Sequence, residues 1–459
     1  MSEERSAAEP RSDQANPSEE RSAAEPRGDR DSTSAVSTAT AVSPRLAPHE
    51  ERAALVRLVL ILVAGALAAT VAGVAATVAV VVAIVAMIML HELGHFVAAK
   101  RSGMKVTEYF LGFGPRLWSI RRGETEYGVK ALPLGGYVKI LGMNNLERVD
   151  TADEPRTYRQ KPYRNRLAVA VAGSVVHFLI AFVLLWVLHA FVGVAGKPDL
   201  RIGEISGFKT GASPAQKAGL QAGDRILSFD GHVLRHWEDL PPYIRSHANV
   251  PIVLEIERAG RRSTVTVTPV DLNTVSGESQ TSPTPGKPYG FVGIGPHVPD
   301  VKAGPLAAVP RAVGDLGRYS KLTFGALGQI ASPSGVTSYV RQLSEHGRPQ
   351  FREDQPRFLS PVGFVKVASI AAHSGVRDVL LLLVLINVFV GIFNMIPLPP
   401  FDGGHVAVAT YERIRSRPGR PYRVDMAKLM PVAYAVVAVL AFILLTSLYL
   451  DIFRFPAVR

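Results

Sequence analysis

The chain has 459 residues, 47% of them hydrophobic, no cysteine and a formal net charge of +12. This length admits two or three domains, and the absence of thiols excludes a disulfide framework and thiolate metal sites, leaving His, Asp and Glu as metal ligands. The positive charge does not point to nucleic acid: 14 Lys or Arg lie between Lys100 and Arg166 and six between Pro399 and Met430, beside long apolar blocks, the pattern of cytoplasmic loops in membrane proteins.

Residues 1–54 are rich in Ser, Ala, Glu, Arg and Pro and carry SEERSAAEPR twice, from Ser2 and from Ser18. They are expected to be a disordered tail. A cleavable signal peptide is not expected, because the first apolar block is too long and too far from the start. That block, residues 58–90, has 33 residues and no charge. As one helix it would be about 50 Å long against a hydrocarbon core of about 30 Å. A hairpin would need a turn near residues 70–73 at membrane depth, where exposed backbone is costly. The expectation is therefore one long or tilted helix, with an additional span as the alternative.

Further apolar blocks occupy residues 167–196, 379–396 and 430–450. They predict a polytopic α-helical membrane protein of about four transmembrane helices in the lipid bilayer of the cell membrane. The membrane core is divided into 55–198 and 379–459. The basic segments place residues 100–166 and 399–430 in the cytoplasm, with the long stretch between the second and third spans, and both termini, on the other side.

The first block ends in "MLHELGHFVAAK", residues 89–100. On a helix the imidazoles of His91 and His95, four positions apart, point the same way and can share one Zn²⁺, while Glu92 reaches a water at the metal. Ionisable groups in a span are costly, so an intramembrane cluster defaults to a functional site. A catalytic zinc takes three protein ligands and keeps a position open. The candidate for the third is Asp402, in "NMIPLPPFDGGH", residues 394–405, where three prolines break the third block and Gly403 and Gly404 permit close backbone approach. Broken helix at membrane depth is tolerated where it lines a polar cavity. His405, also nearby, ranks as a residue that supports the ligands from behind or as structural. His177, in the second block, is placed to hydrogen-bond across helices rather than to bind metal.

Residues 199–270 predict an inserted α+β module. A helix starts at Pro214, a strand covers 225–229, an Asp230-Gly231 turn follows, then a helix near 237–247 and strands over 252–258 and 263–269. This order resembles a bacterial PDZ domain, which implies an extracytoplasmic domain that binds peptide by strand addition. Residues 271–378 are expected to be a Ser/Thr/Pro-rich linker and an extracytoplasmic segment to which no chemistry is assigned.

The HELGH in one span, with Asn394, Pro397, Pro399, Asp402, Gly403 and Gly404 standing as N-x-x-P-x-P-x-x-D-G-G in another, resembles the site-2 proteases, intramembrane zinc metalloproteases. The resemblance implies His91, His95 and Asp402 as zinc ligands, Glu92 as general base, and Asn394 as a substrate-facing or oxyanion-supporting residue. It further implies a membrane-protein substrate, of the single-span anti-sigma-factor kind, and a zinc site toward the cytoplasmic side. The segment 126–138, with Pro133 and Gly135-Gly136, fits a β-hairpin or re-entrant loop, and in that family such a loop pairs with substrate. Many members carry G-P-x-x-N in the second span; here Gly173, Ser174, Val175, Val176 and His177 stand instead. The alternative from another class is a non-catalytic scaffold or transporter with a structural metal site, against which the intact Glu92 argues.

Overall fold

The first apolar block does not run through as one helix. A computed structural model describes residues 48–453 apart from 144–146, 209–210, 276–287, 345–357, 418 and 421. It has α1 over Pro48–Val71 and α2 over Ala75–Arg101, with Gly73 between them at φ 70°. The Gly73 N–H bonds the Thr70 carbonyl at 3.1 Å and the Val74 N–H reaches the Ala69 carbonyl at 3.0 Å, as in a left-handed glycine helix stop. Because these groups bond within the turn, the cost of breaking the helix among apolar residues falls. The expectation of a single long helix is thus corrected to two. Among the described residues four helices are long and apolar enough to cross a bilayer, and the apolar part of α1, Leu55–Val71, is shorter than these. The tail expected over 1–54 lies outside the described residues as far as residue 47, as does the linker over 276–287.

After α2 the chain forms β1, Val106–Arg122, and β2, Thr125–Ile140. The two weave rather than form a plain hairpin. Residues 108–111 pair with 126–129 on one side and with 136–139 on the other, while 116–122 pair with 125–130. Residues 136–140 therefore form an outer edge of this small sheet.

Helix α3, Tyr163–Val187, continues through a π turn, Leu188–Val192, into the inserted module. The module comprises β3 Val194–Ala195, β4 Ile202–Ile205, α4 Pro214–Lys217, β5 Arg225–Phe229, β6 His232–Val233, α5 Leu240–Ser246, β7 Ile252–Arg258, β8 Arg261–Val267, β9 Val270–Asp271, β10 Gly290–Phe291, β11 Ile294–Pro296 and β12 Asp300–Val301. Its main sheet is antiparallel in the order β6-β5-β7-β8. The Asp-Gly pair joins β5 to β6 with both residues at positive φ, 45° and 80°, as a two-residue hairpin requires. Ile252, Leu254 and Ile256 alternate into a core with Ile226, Leu240 and Ile202; each such burial stabilises the module by about 1.5–3 kcal/mol. Residues 290–301 return to this module: β10 pairs with β9, β11 with β4, and β12 with β3 at the end of α3.

The chain then runs through α6 Pro305–Ala331, α7 Pro333–Ser344, α8 Pro361–Ser374, α9 Val376–Phe393, α10 Asp402–Arg415 and α11 Met430–Phe453. Helix α3 is the hub, packed against α2, α6, α9 and α10. Ala181 and Leu185 of α3 and Leu188 of the π turn bury against Ala312 of α6 and Val384 and Val388 of α9. On its other side a Cβ at Gly94 of α2 would lie 2.8 Å from the Ala172 carbonyl oxygen and 2.8 Å from Val176 Cγ2. Small residues let helices approach this closely where packing, not water exclusion, drives association. Helix α10 is fastened to α3 by a buried ion pair, Arg166 Nη1 to Glu412 Oε2 at 2.6 Å.

Candidate metal centre

The α2–α3 approach, and the broken chain before α10, bring together three of the side chains singled out in the sequence. His91 Nε2 and His95 Nε2 lie 3.1 Å apart. Asp402 Oδ2 lies 3.3 Å from the first and 3.2 Å from the second. Both histidines are buried, and the three residues form a cluster whose ligand atoms all lie within 4.8 Å of one another. Four positions on a helix bring the imidazoles to one face, and Asp402, the first residue of α10, is delivered by the turn before it.

That turn depends on its glycines. The Gly403 N–H bonds the Asn394 carbonyl at 2.7 Å, closing residues 395–402 into a compact loop. A Cβ at Gly403 would sit 2.3 Å from the Met395 carbonyl oxygen, and one at Gly404 2.8 Å from the Pro399 nitrogen. Asn394 itself ends α9 and is half-buried, tied through its backbone to the segment carrying Asp402.

Donor chemistry and spacing fit one zinc ion. Tetrahedral ligation at about 2.0–2.2 Å places neighbouring N and O ligand atoms about 3.3–3.5 Å apart, close to the observed triangle of 3.1–3.3 Å. Asp402 Oδ2 is buried and has no hydrogen-bond partner among the described residues, which a carboxylate oxygen tolerates when a cation satisfies it. The His95 Nδ1–H donates to the Val169 carbonyl at 2.7 Å, leaving Nε2 with its lone pair toward the cluster. Such an outer hydrogen bond fixes tautomer and ring orientation in metal-binding histidines.

Glu92 turns toward the sheet edge formed by residues 136–140. The Val138 backbone amide reaches its carboxyl group, and a Cβ at Gly136 would lie 3.3 Å from Glu92 Cγ and 2.6 Å from Met89 Sδ. Glycine at 136 thus lets the strand edge run beside the glutamate.

His405 and His177 stand outside the cluster. His405 packs edge-on against Tyr158, ring centroids 6.2 Å apart. His177 bonds across to α9, Nδ1 to Asn387 Oδ1 at 2.8 Å.

One residue at the centre was not singled out for a role. A Cβ at Gly173 of α3 would lie 2.3 Å from His91 Cε1, 2.5 Å from His91 Nδ1 and 2.5 Å from His95 Nε2. The signal available was its place at the head of the element that departs from G-P-x-x-N; its steric role depends on which rings pack against it.

A donor set suited to zinc, buried within a multi-span helical bundle and flanked by a glutamate, defines a membrane-embedded metallohydrolase. The chain belongs to Peptidase family M50, whose model matches residues 79–441. Zinc metalloprotease Rip1 of Mycolicibacterium smegmatis is 34% identical over 396 residues, covering 80% of this chain and 94% of that protein. Rip1 of Mycobacterium tuberculosis is 34% identical over 390 residues, covering 78% and 93%. The protein is a multi-pass zinc metalloendopeptidase.

Proposed function

We propose that His91, His95 and Asp402 hold the zinc, that Glu92 is the general base, and that the bond cut lies in or beside a transmembrane segment of a single-span protein of the anti-sigma-factor type. The observation that carries this is the triangle of 3.1–3.3 Å between the three ligand atoms, with Glu92 on the same helix. Zinc bound there supplies Lewis acidity to the hydrolysis. The Glu92 carboxylate takes the proton of the attacking water and passes it to the leaving amine, a role of about 10²–10⁴-fold in rate. Asn394, at the end of α9, offers its side-chain amide to the developing oxyanion.

A helical substrate hides its scissile amide in an internal hydrogen bond and must be unwound to react. The edge at 136–140, with Val138 at Glu92, supports a reading in which that edge holds the opened segment extended by strand addition. The basic residues that follow α2 and α10 support a cytoplasmic location for this side of the bundle, with the inserted module extracytoplasmic.

The module, read as PDZ-like over 199–270 together with 288–301, serves as a peptide-binding unit. A cavity of about 230 Å³ lies between α5 and the β10–β11 segment, lined by Leu240, Ile244, Arg245, Tyr289, Phe291 and Ile294, where an extended peptide has both an apolar pocket and backbone partners.

The test is cleavage of a single-span substrate by zinc-loaded Glu92→Gln. Rate loss of about 10²–10⁴-fold with zinc retained is expected; undiminished cleavage contradicts the assignment.

A further inference from the structure

His91 and His95 are held differently. The His95 Nδ1 bonds the Val169 carbonyl, whereas His91 Nδ1 is buried without a hydrogen-bond partner among the described residues. Metal-binding histidines are ordinarily oriented by a bond from the second ring nitrogen, so something other than a hydrogen bond must fix the His91 ring. Besides His95, whose ring lies edge-on to it with centroids 4.7 Å apart, and Asp402, two residues of α3 touch it. It meets Gly173, where a Cβ would lie 2.3 Å from His91 Cε1. It also meets the ring of His177, with centroids 4.9 Å apart at a 40° tilt.

His177 is in turn anchored. Its Nδ1–H donates to Asn387 Oδ1 on α9 at 2.8 Å, and the Asn387 amide is held by its own Nδ2–H bond to the Leu383 carbonyl at 2.7 Å. Both residues are buried, His177 at 2% and Asn387 at 0% exposure. The amide orientation is thereby determined: Nδ2 is committed to a carbonyl, leaving Oδ1 to accept from His177.

We propose that His177 is a positioning residue for the metal centre, an aromatic buttress that sets the rotation of the His91 ring, and that Asn387 acts through it. The position is one where this chain carries histidine in place of the asparagine expected in the second span, so the device belongs to this chain's own α3–α9 pairing. The proposal rests on His91 being a zinc ligand.

The test uses the full-length protein in detergent micelles or nanodiscs, with zinc affinity measured by chelator competition and coordination geometry by the visible spectrum of the Co²⁺-substituted protein. His177→Ala is expected to weaken zinc binding about 10- to 100-fold, the usual range for residues that orient a ligand, and to shift the Co²⁺ bands. His177→Asn, which keeps a donor for Asn387 but no ring, behaves like His177→Ala. His177→Phe keeps a ring without its anchor and matches Asn387→Leu, both weakening zinc less than His177→Ala. The double variant His177→Ala/Asn387→Leu is no weaker than His177→Ala alone. Wild-type affinity and spectrum in His177→Ala, or additive losses in the double variant, overturn the proposal. His91→Ala separates the two layers: full zinc affinity there removes the ligand assignment itself, whereas lost affinity there with none lost in His177→Ala removes only the buttress.

Discussion

Asp402 Oδ2 lies 3.2 Å from His95 Nε2, although the β1–β2 sheet, α3 and the whole inserted module separate them in sequence. Two ends of the chain are brought to one point by α3, which packs against α2 on one side and α10 on another. The centre is therefore sensitive to anything that moves either helix against α3.

Gly173 is the tightest such point. Any side chain there enters the space of both imidazoles, with contacts of 2.3–2.5 Å to be relieved. Rings and backbone in this packed region cannot yield cheaply. Gly173→Ala should lose zinc affinity by about tenfold or more, comparable to removing an orienting contact. Gly65→Ala in α1, with nothing within 4 Å of the added carbon, should leave it unchanged. Chelator competition on both variants checks this.

The Arg166–Glu412 pair couples α3 to α10 at 2.6 Å, with side chains only 6% and 2% exposed. Glu412 also accepts from the Val424 backbone N–H at 2.8 Å. Removing one partner of a buried pair costs about 3–5 kcal/mol where it leaves an uncompensated charge, whereas replacing both with apolar groups costs far less; Arg423 Nη1, 3.3 Å from Glu412 Oε2, still meets the carboxylate after Arg166 is lost, so the loss falls below that range. Arg166→Met should lower the thermal midpoint and the fraction of active protein, and Arg166→Met/Glu412→Met should recover much of it. A double variant less stable than either single one would argue against the pair.

Acid acts at a different joint. Glu124, in the turn between β1 and β2, is held to about 2, chiefly by its hydrogen bond to Arg156 and then by the one to Lys100 at the end of α2. Its folded pKa lies below the unfolded value of 4.5. The stabilisation it brings is therefore fully present above pH 4.5 and disappears as pH falls toward about 2. Because the group is partly exposed, the effect is small and salt-sensitive. Amide hydrogen exchange at residues 122–126 should accelerate across that window relative to a neutral reference turn, and Glu124→Gln should abolish the dependence.

Much of the centre was legible in the sequence because its chemistry is local: His91, Glu92 and His95 need only helical spacing, and the Pro-rich break announces Asp402. The module's elements from Pro214 to Val267 were equally readable, since the alternation of Ile252, Leu254 and Ile256 and the Asp230-Gly231 turn are short-range signals. The break at Gly73 falls where the alternative reading put a turn, near residues 70–73, but the sequence favours an unbroken helix, because the turn's cost depends on bonds seen only in three dimensions. The return of residues 290–301 to β3, β4 and β9, and the double pairing of residues 108–111, are long-range registers that no local pattern encodes. Gly173 and Asn387 owe their importance to the rings they face, which their neighbours in sequence do not reveal.

The most direct measurement of the central claim is the zinc content of purified Asp402→Ala, set beside that of Glu92→Gln. Asp402 completes the triangle with His91 and His95, and its loss leaves two imidazoles where a catalytic zinc takes three protein ligands. Zinc well below one equivalent in Asp402→Ala, with about one equivalent retained in Glu92→Gln, is the predicted result. A full equivalent of zinc in Asp402→Ala would contradict it.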